Sequence, residues 1–250
     1  TMVRTYGRCP GGVEMKKQIN RMTIGVVLIS TGAIGLSSTS IAQQIVMDQI
    51  GPDDGSMVGT NPTGCQNFEA TYDIYDYAAM DNFTGNGVNI HTVEMVLSGW
   101  NGFVDPSSVA GYTANLYSDP FEASIDLTGD IATSFADAAD CTLSESWNGS
   151  GYLISMPSQM ITASGTNWIA MIPHNDFETG GQTGIVDTLS GDGVLGWQAN
   201  PGGGFSLPDN MQESTVEFAY RLFSGDPCEG ILPENCSADV DGDLIITVAD

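Results

Sequence analysis

Beyond residue 43, turn-forming Gly, Asn, Asp, Ser and Thr recur every 8–15 residues, which leaves room only for short elements. The runs between them are rich in β-branched and aromatic residues, and several alternate with a period of two. Ile90 to Leu97 sets Val93, Met95 and Leu97 on one face and Thr92, Glu94 and Val96 on the other. Tyr112 to Tyr117 aligns Tyr112, Ala114 and Leu116, and Tyr152 to Met156 aligns Tyr152, Ile154 and Met156. Val216 to Phe223 turns Val216, Phe218, Tyr220 and Leu222 inward and Glu217 and Arg221 outward. Trp168 to Ile172 is continuously apolar, the pattern of a strand covered on both faces. One stretch, Ile131 to Ala139, reads as a short helix. The expectation is an all-β fold over residues 43–224. It is an antiparallel β-sandwich, jelly-roll-like, with two sheets face to face.

Charge narrows the class of partner. The 250 residues carry 31 acidic side chains against six basic ones, a net charge of −25. A surface without Lys and Arg cannot displace the counterions of a phosphate backbone, so nucleic acid is excluded as a partner. Electrostatic docking on anionic lipid is excluded for the same reason. Charged residues are only 15% and hydrophobic ones 41%, so the acidity does not imply disorder.

The cations are concentrated at one end. Lys16, Lys17 and Arg21 follow Met15, then Met22 to Leu36 is apolar and Ser40-Ile41-Ala42 resembles a small-residue cleavage site. This order is that of a secretory signal peptide over residues 15–42, with Gln43 as the first mature residue. The rival reading, a membrane span, meets an apolar run of about 15 residues, short for a bilayer. Residues 1–14 read as translated leader ahead of that signal. Removing residues 1–42 takes five of the six cations and one of the 31 acids, leaving 30 carboxylates, Arg221 alone and a formal charge of −29. Such self-repulsion fits an extracellular setting in which salt screens it.

Cys65, Cys141, Cys228 and Cys236 are four cysteines beyond the signal, and four allow three connectivities. Cys228 and Cys236 flank a short Pro-containing segment and are candidates to close a small loop, which leaves Cys65 with Cys141. An oxidising compartment favours disulfides. The alternative is zinc, against which stand the lack of a C-x-x-C spacing and the isolation of His91 and His174.

Catalytic signatures are sparse. No G-x-S-x-G elbow and no H-E-x-x-H occurs. His174 lies in Pro173-His174-Asn175-Asp176 and could act as a base beside Asp176, yet no nucleophile motif accompanies it. Gly202-Gly203-Gly204 lacks the strand, helix and Lys of a phosphate cradle and reads as a hairpin. Among 30 carboxylates, no spacing singles out a glycosidase pair. Exposed aromatics would serve glycan binding. Trp100, Trp147 and Trp197 lie near Gly/Asn-rich turns, with Gln198 and Asn200 beside Trp197 as hydrogen-bonding groups, and core burial is the alternative use of those rings.

The sharpest local pattern is Asp239-Val240-Asp241-Gly242-Asp243-Leu244-Ile245-Ile246-Thr247-Val248-Ala249-Asp250. In a twelve-residue calcium loop, Asp239, Asp241 and Asp243 take positions 1, 3 and 5. The Ile245 carbonyl takes position 7, Thr247 position 9 and Asp250 position 12. This partial EF-hand-like loop resembles the first half of a type I dockerin repeat, with Leu244 where the family places Gly. The resemblance implies calcium as the bound ion and attachment to a cohesin-like or cell-envelope partner. Residues 225–238 read as the linker, and 239–250 as a truncated repeat.

A second resemblance spans residues 78–223. Asp81-Asn82-Phe83-Thr84, Gly99-Trp100, Tyr112 to Asp119, Gly165-Thr166-Asn167-Trp168-Ile169 and Phe218-Ala219-Tyr220-Arg221-Leu222 carry it. Together they resemble secreted bacterial β-sandwich modules that precede C-terminal anchors. It implies fold and an extracellular or cell-surface location. The function expected is that of a non-enzymatic secreted module in adhesion or assembly. A carbohydrate-binding module is the alternative, and a glycoside-active enzyme ranks behind both.

Overall fold

A computed structural model describes residues 44–147 and 149–225. Residues 1–43, 148 and 226–250, which hold the expected signal peptide, nearly all of the expected linker and the expected calcium loop, lie outside the described residues. The chain forms β1 (Gln44–Asp48), β2 (Val58–Gly64), β3 (Ala78–Asn86), β4 (Asn89–Trp100), β5 (Gly111–Tyr117), β6 (Ala132–Asp137) and β7 (Thr142–Trp147). It continues with β8 (Gly151–Ile161), β9 (Ser164–His174), β10 (Gln182–Thr188), β11 (Trp197–Ala199), β12 (Met211–Glu213) and β13 (Tyr220–Ser224). Two short helices intervene, α1 (Pro120–Ile125) and α2 (Phe177–Gly180). Among the described residues, no helix is long and apolar enough to cross a membrane.

The strands make two antiparallel sheets. One has six strands in the order β12-β11-β3-β9-β5-β6. The other has seven and is organised around β4. One edge of β4 is shared, with β13 along Ile90–Met95 and β10 along Leu97–Trp100, while its other edge pairs with β8. Strand β1 adds to β13, β2 to β10 and β7 to β8.

Alternation explains the core. Val93, Met95 and Leu97 are fully buried, as are Ile154 and Met156 of β8 and Tyr220 and Leu222 of β13, and they join one cluster with Ala114, Leu116, Ile169 and Met171 of the six-stranded sheet. Each of the Val, Leu, Ile and Met side chains among them contributes about 1.5–3 kcal/mol on burial. The opposite face of β4 is not left to solvent. Val96 joins Ile50, Val58, Val186 and Ala219 in a small second cluster.

Hydrogen bonds tie the sheets together where strand pairing breaks. Strand β3 pairs with β9 along Asp81–Asn86 and with β11 along Ala78–Met80. At that divergence the Tyr220 hydroxyl, coming from the other sheet, donates to the Ala79 carbonyl (2.9 Å) and accepts from Met171 N–H (3.1 Å). Next to it the fully buried Asp81 carboxyl accepts from Phe218 N–H (2.6 Å) and Asn82 N–H (2.8 Å).

Three expectations change. Residues 131–139 form no helix: β6 pairs with β5 through Ala132–Asp137, and a 3-10 turn follows at Ala138–Asp140. Thr133, Ser134 and Phe135 suit an edge strand better than a helical turn. The short helix instead begins at Pro120, where Asp119 accepts from Phe121 N–H (2.9 Å) and proline fills the first turn.

Second, Arg221 points away from the core, as its alternation requires, yet is only 7% exposed. The segment after β1 folds over it. The guanidinium meets Asp48 (3.1 Å), Asp53 (3.0 Å) and Glu94 (3.2 Å) and also donates to the Gly51 carbonyl.

Third, Cys65 and Cys141 are free thiols and do not form the expected pair. Cys65 is buried at the end of β2, with its Sγ donating to the Met171 carbonyl, whereas Cys141 follows the 3-10 turn and faces the Asp137 carbonyl of its own segment. Cys228 and Cys236 lie outside the described residues.

Candidate functional site

The outer face of the six-stranded sheet carries the chemistry. Opposite residues in register share a face. Thr113 lies across from Ile172 on β9, Asn115 from Thr133 on β6, and Gly111 from His174. Since Ala114, Leu116 and Met171 point into the core, these residues point out. Walls rise on both sides of them. Asn67, Asp73 and Asp76 come from the segment between β2 and β3. Ile125, Asp126 and Thr128 come from α1 and the turn after it. They enclose a groove of about 380 Å³.

Its polar groups are unequally committed. The His174 ring nitrogen Nε2 lies 2.7 Å from the Thr113 hydroxyl, and the ring meets Phe135 edge-on at 5.3 Å. Burial lowers the His174 pKa, which favours the neutral imidazole. Asp76 accepts from Phe68 N–H (2.7 Å) and Asn67 Nδ2 (3.1 Å). Burial, reinforced by nearby Asp73, pushes the Asp76 carboxyl up to about 6 despite the Phe68 hydrogen bond. Asn115 is fully buried. Its Oδ1 accepts from Gly129 N–H (3.1 Å) and the Thr133 hydroxyl (2.7 Å), while its Nδ2 has no partner.

Across the 3-10 turn Ala70–Tyr75 lies a second recess of about 230 Å³. Phe68, Tyr72, Tyr75, Phe177 and Phe205 line it, with Gln182 as the polar member. Phe177 meets Tyr72 edge-on at 5.6 Å, and Phe205 meets Tyr75 edge-on at 5.3 Å. The rings are held by the half-buried Glu69 and the fully buried Asn200. Glu69 accepts from Phe177 N–H (2.7 Å), and Asn200 joins the loop of Tyr75 to that of Phe205. Its Nδ2 donates to the Ile74 and Asp76 carbonyls (both 2.8 Å) and its Oδ1 accepts from Phe205 N–H (2.9 Å).

Of the residues singled out in the sequence, His174 lines the groove and the others stand elsewhere. Asn200 is fully buried and spends its amide on the loops, so it offers nothing to a ligand. Gln198 donates to the Gly64 carbonyl (3.1 Å), and Trp197 is partly buried against the core. Trp147 donates to the Asp53 carbonyl (2.9 Å). His91 is on β4 and His174 on β9, in different sheets, and the bond described for His174 goes to Thr113 rather than to Asp176. The expected calcium ligands Asp239, Asp241, Asp243, Ile245, Thr247 and Asp250 lie outside the described residues. Among the described residues, no group of three His, Cys, Asp or Glu is placed to hold a metal ion.

Sequence reasoning passed over the cleft, although Phe68, Tyr72, Tyr75 and Tyr77 within ten residues were a signal for it. The groove had no such signal, because its residues come from four separate stretches of chain. No protein-family model matches the sequence, and no curated protein matches it.

Proposed function

We propose that the chain is a secreted, non-enzymatic β-sandwich module of jelly-roll-like organisation, attached outside the cell through its dockerin-like calcium loop, with a role in adhesion or assembly. One observation supports the modular reading above others. Gln44 pairs with Ser224, so both ends of the described body leave from one edge of the seven-stranded sheet, while the groove lies on the outer face of the six-stranded sheet. A body tethered at one edge can present the groove elsewhere. The test is expression of the complete gene in its source cells, with N-terminal sequencing of the exported protein and washing of the cells with a calcium chelator. A first residue of Gln43 and release by chelation are expected. An intact leader, or retention unaffected by calcium, would contradict the proposal.

A second reading, a carbohydrate-binding module, is favoured by the five aromatic rings of the cleft. Sugar faces stack on such rings, and the Tyr hydroxyls and Gln182 provide polar contacts at the margin. Binding to a panel of immobilised neutral oligosaccharides, weakened by Tyr72→Ala, would support it. No binding to any member would reject it.

A further inference from the structure

We infer that the groove centred on Asn115 is the binding site for an uncharged, hydroxyl-rich ligand, a segment of neutral glycan, with the Asn115 carboxamide as its deepest contact; this rests on the carbohydrate-binding reading.

The argument begins with the floor. Asn115 is fully buried, and two donors fix its Oδ1, which leaves the amide nitrogen as the group without a partner. A buried donor in that state costs about 1–3 kcal/mol, which an acceptor from a ligand would recover. A cation does not supply an acceptor and would face the amide hydrogens.

The walls set the opposite condition. Asp73, Asp76 and Asp126 face the groove with no Lys or Arg among its lining residues, so an anion such as phosphate or a uronate meets like charge. These carboxyls accept hydrogen bonds, and the ligand must therefore donate to them. A hydroxyl both donates and accepts, and a sugar carries several at fixed spacing. The remaining wall is apolar, from Ile125, Leu127, Ile172 and Pro201, and suits the C–H face of a sugar ring. The volume falls within the usual range of about 300–1,000 Å³ for ligand pockets.

Length follows from the neighbouring cleft. Asn67 and Phe68 are adjacent in the chain, as are Asp76 and Tyr75, and in each pair one residue lines the groove and the other the cleft. A ligand longer than one sugar can therefore rest hydroxyls against the groove and a ring face against the aromatics. A larger depression, of about 680 Å³ beside Leu143 and Tyr152, has among its lining residues no buried side-chain atom without a partner.

The test uses the full mature chain against immobilised β-1,4-glucan, β-1,3-glucan, β-1,4-mannan and α-1,4-glucan hexasaccharides, with heparin and polylysine as charged probes. Asn115→Asp keeps the oxygen that Gly129 and Thr133 use and replaces the amide nitrogen with a second, ionisable carboxyl oxygen. Ile125→Trp fills the groove from a position that is 62% exposed and tolerates exchange. Each is expected to weaken binding of the preferred neutral hexasaccharide by about tenfold or more, the loss of one buried hydrogen bond, with thermal unfolding as in the wild type for Ile125→Trp. Unchanged binding in both variants, with loss in Tyr72→Ala, overturns the groove assignment and leaves the carbohydrate reading intact. Preference for heparin or polylysine overturns the ligand class. Failure of the wild type to bind any hexasaccharide overturns both.

Discussion

Replacing Arg221 by Met should cost about 4 kcal/mol of folding stability, and the three carboxylates around it contribute unequally. Glu94 has a side chain only 13% exposed, and burial already raises its pKa against the opposing pull of Arg221. Leaving one member of a buried pair without its partner costs about 3–5 kcal/mol. Asp48 is 30% exposed and keeps hydrogen bonds from Ile50 N–H and Gly51 N–H, so its loss is about 1 kcal/mol or less. Asp53, at 85% exposed, adds little. The cost is therefore concentrated in Glu94, and Arg221→Met combined with Glu94→Gln should recover more than half of it. Urea unfolding of the wild type, the single variants and the double variant measures each step. A single-variant loss below about 1 kcal/mol, or a double variant no more stable than Arg221→Met, would refute the reasoning.

Tyr220→Phe removes the hydroxyl that serves both the Ala79 carbonyl and Met171 N–H, and should cost about 2–4 kcal/mol in the same assay. Burial pushes Asp81 up to about 7 from its ordinary 3.8, against the Phe218 and Asn82 hydrogen bonds. The folded carboxyl thus binds its proton more tightly than the unfolded one. Its contribution is complete below about pH 4 and disappears as pH rises through 7. Melting temperature should fall between pH 4 and pH 8, and Asp81→Asn should flatten that fall in a calorimetric series. Burial also raises the thiols, to about 12 for Cys65 and about 11 for Cys141. At pH 8 a thiol reagent should label Cys65 only after unfolding and Cys141 earlier, and peptide mapping without reduction should show no bridge between them.

Strands proved easier to read than the site, for a physical reason. A strand's burial pattern is written in consecutive residues. Val93, Met95 and Leu97 therefore declared their face directly, as did Ala114 and Leu116. Arg221 shows the limit of that reasoning. Alternation gives the face correctly, but burial on the outer face depends on Asp48, Gly51 and Asp53, about 170 residues away in the chain. The misread stretch 131–139 has a similar cause, since β6 is an edge strand stabilised by its pairing with β5. Asn115 was unreadable as a site residue because its significance lies in an unpaired nitrogen, a property of the assembled loops. The aromatic cleft was partly legible in the spacing of Phe68, Tyr72 and Tyr75. Trp197 drew attention as the larger ring and is packed against the core.

The most direct test of the binding account is the side-chain amide of Asn115 in the nitrogen-15 spectrum of residues 43–250, followed while the preferred neutral hexasaccharide is added. The account predicts that this NH₂ pair shifts and saturates with the same affinity as binding measured on the immobilised panel. An Asn115 pair unmoved at saturation, with the shifts confined to other parts of the molecule, would contradict it.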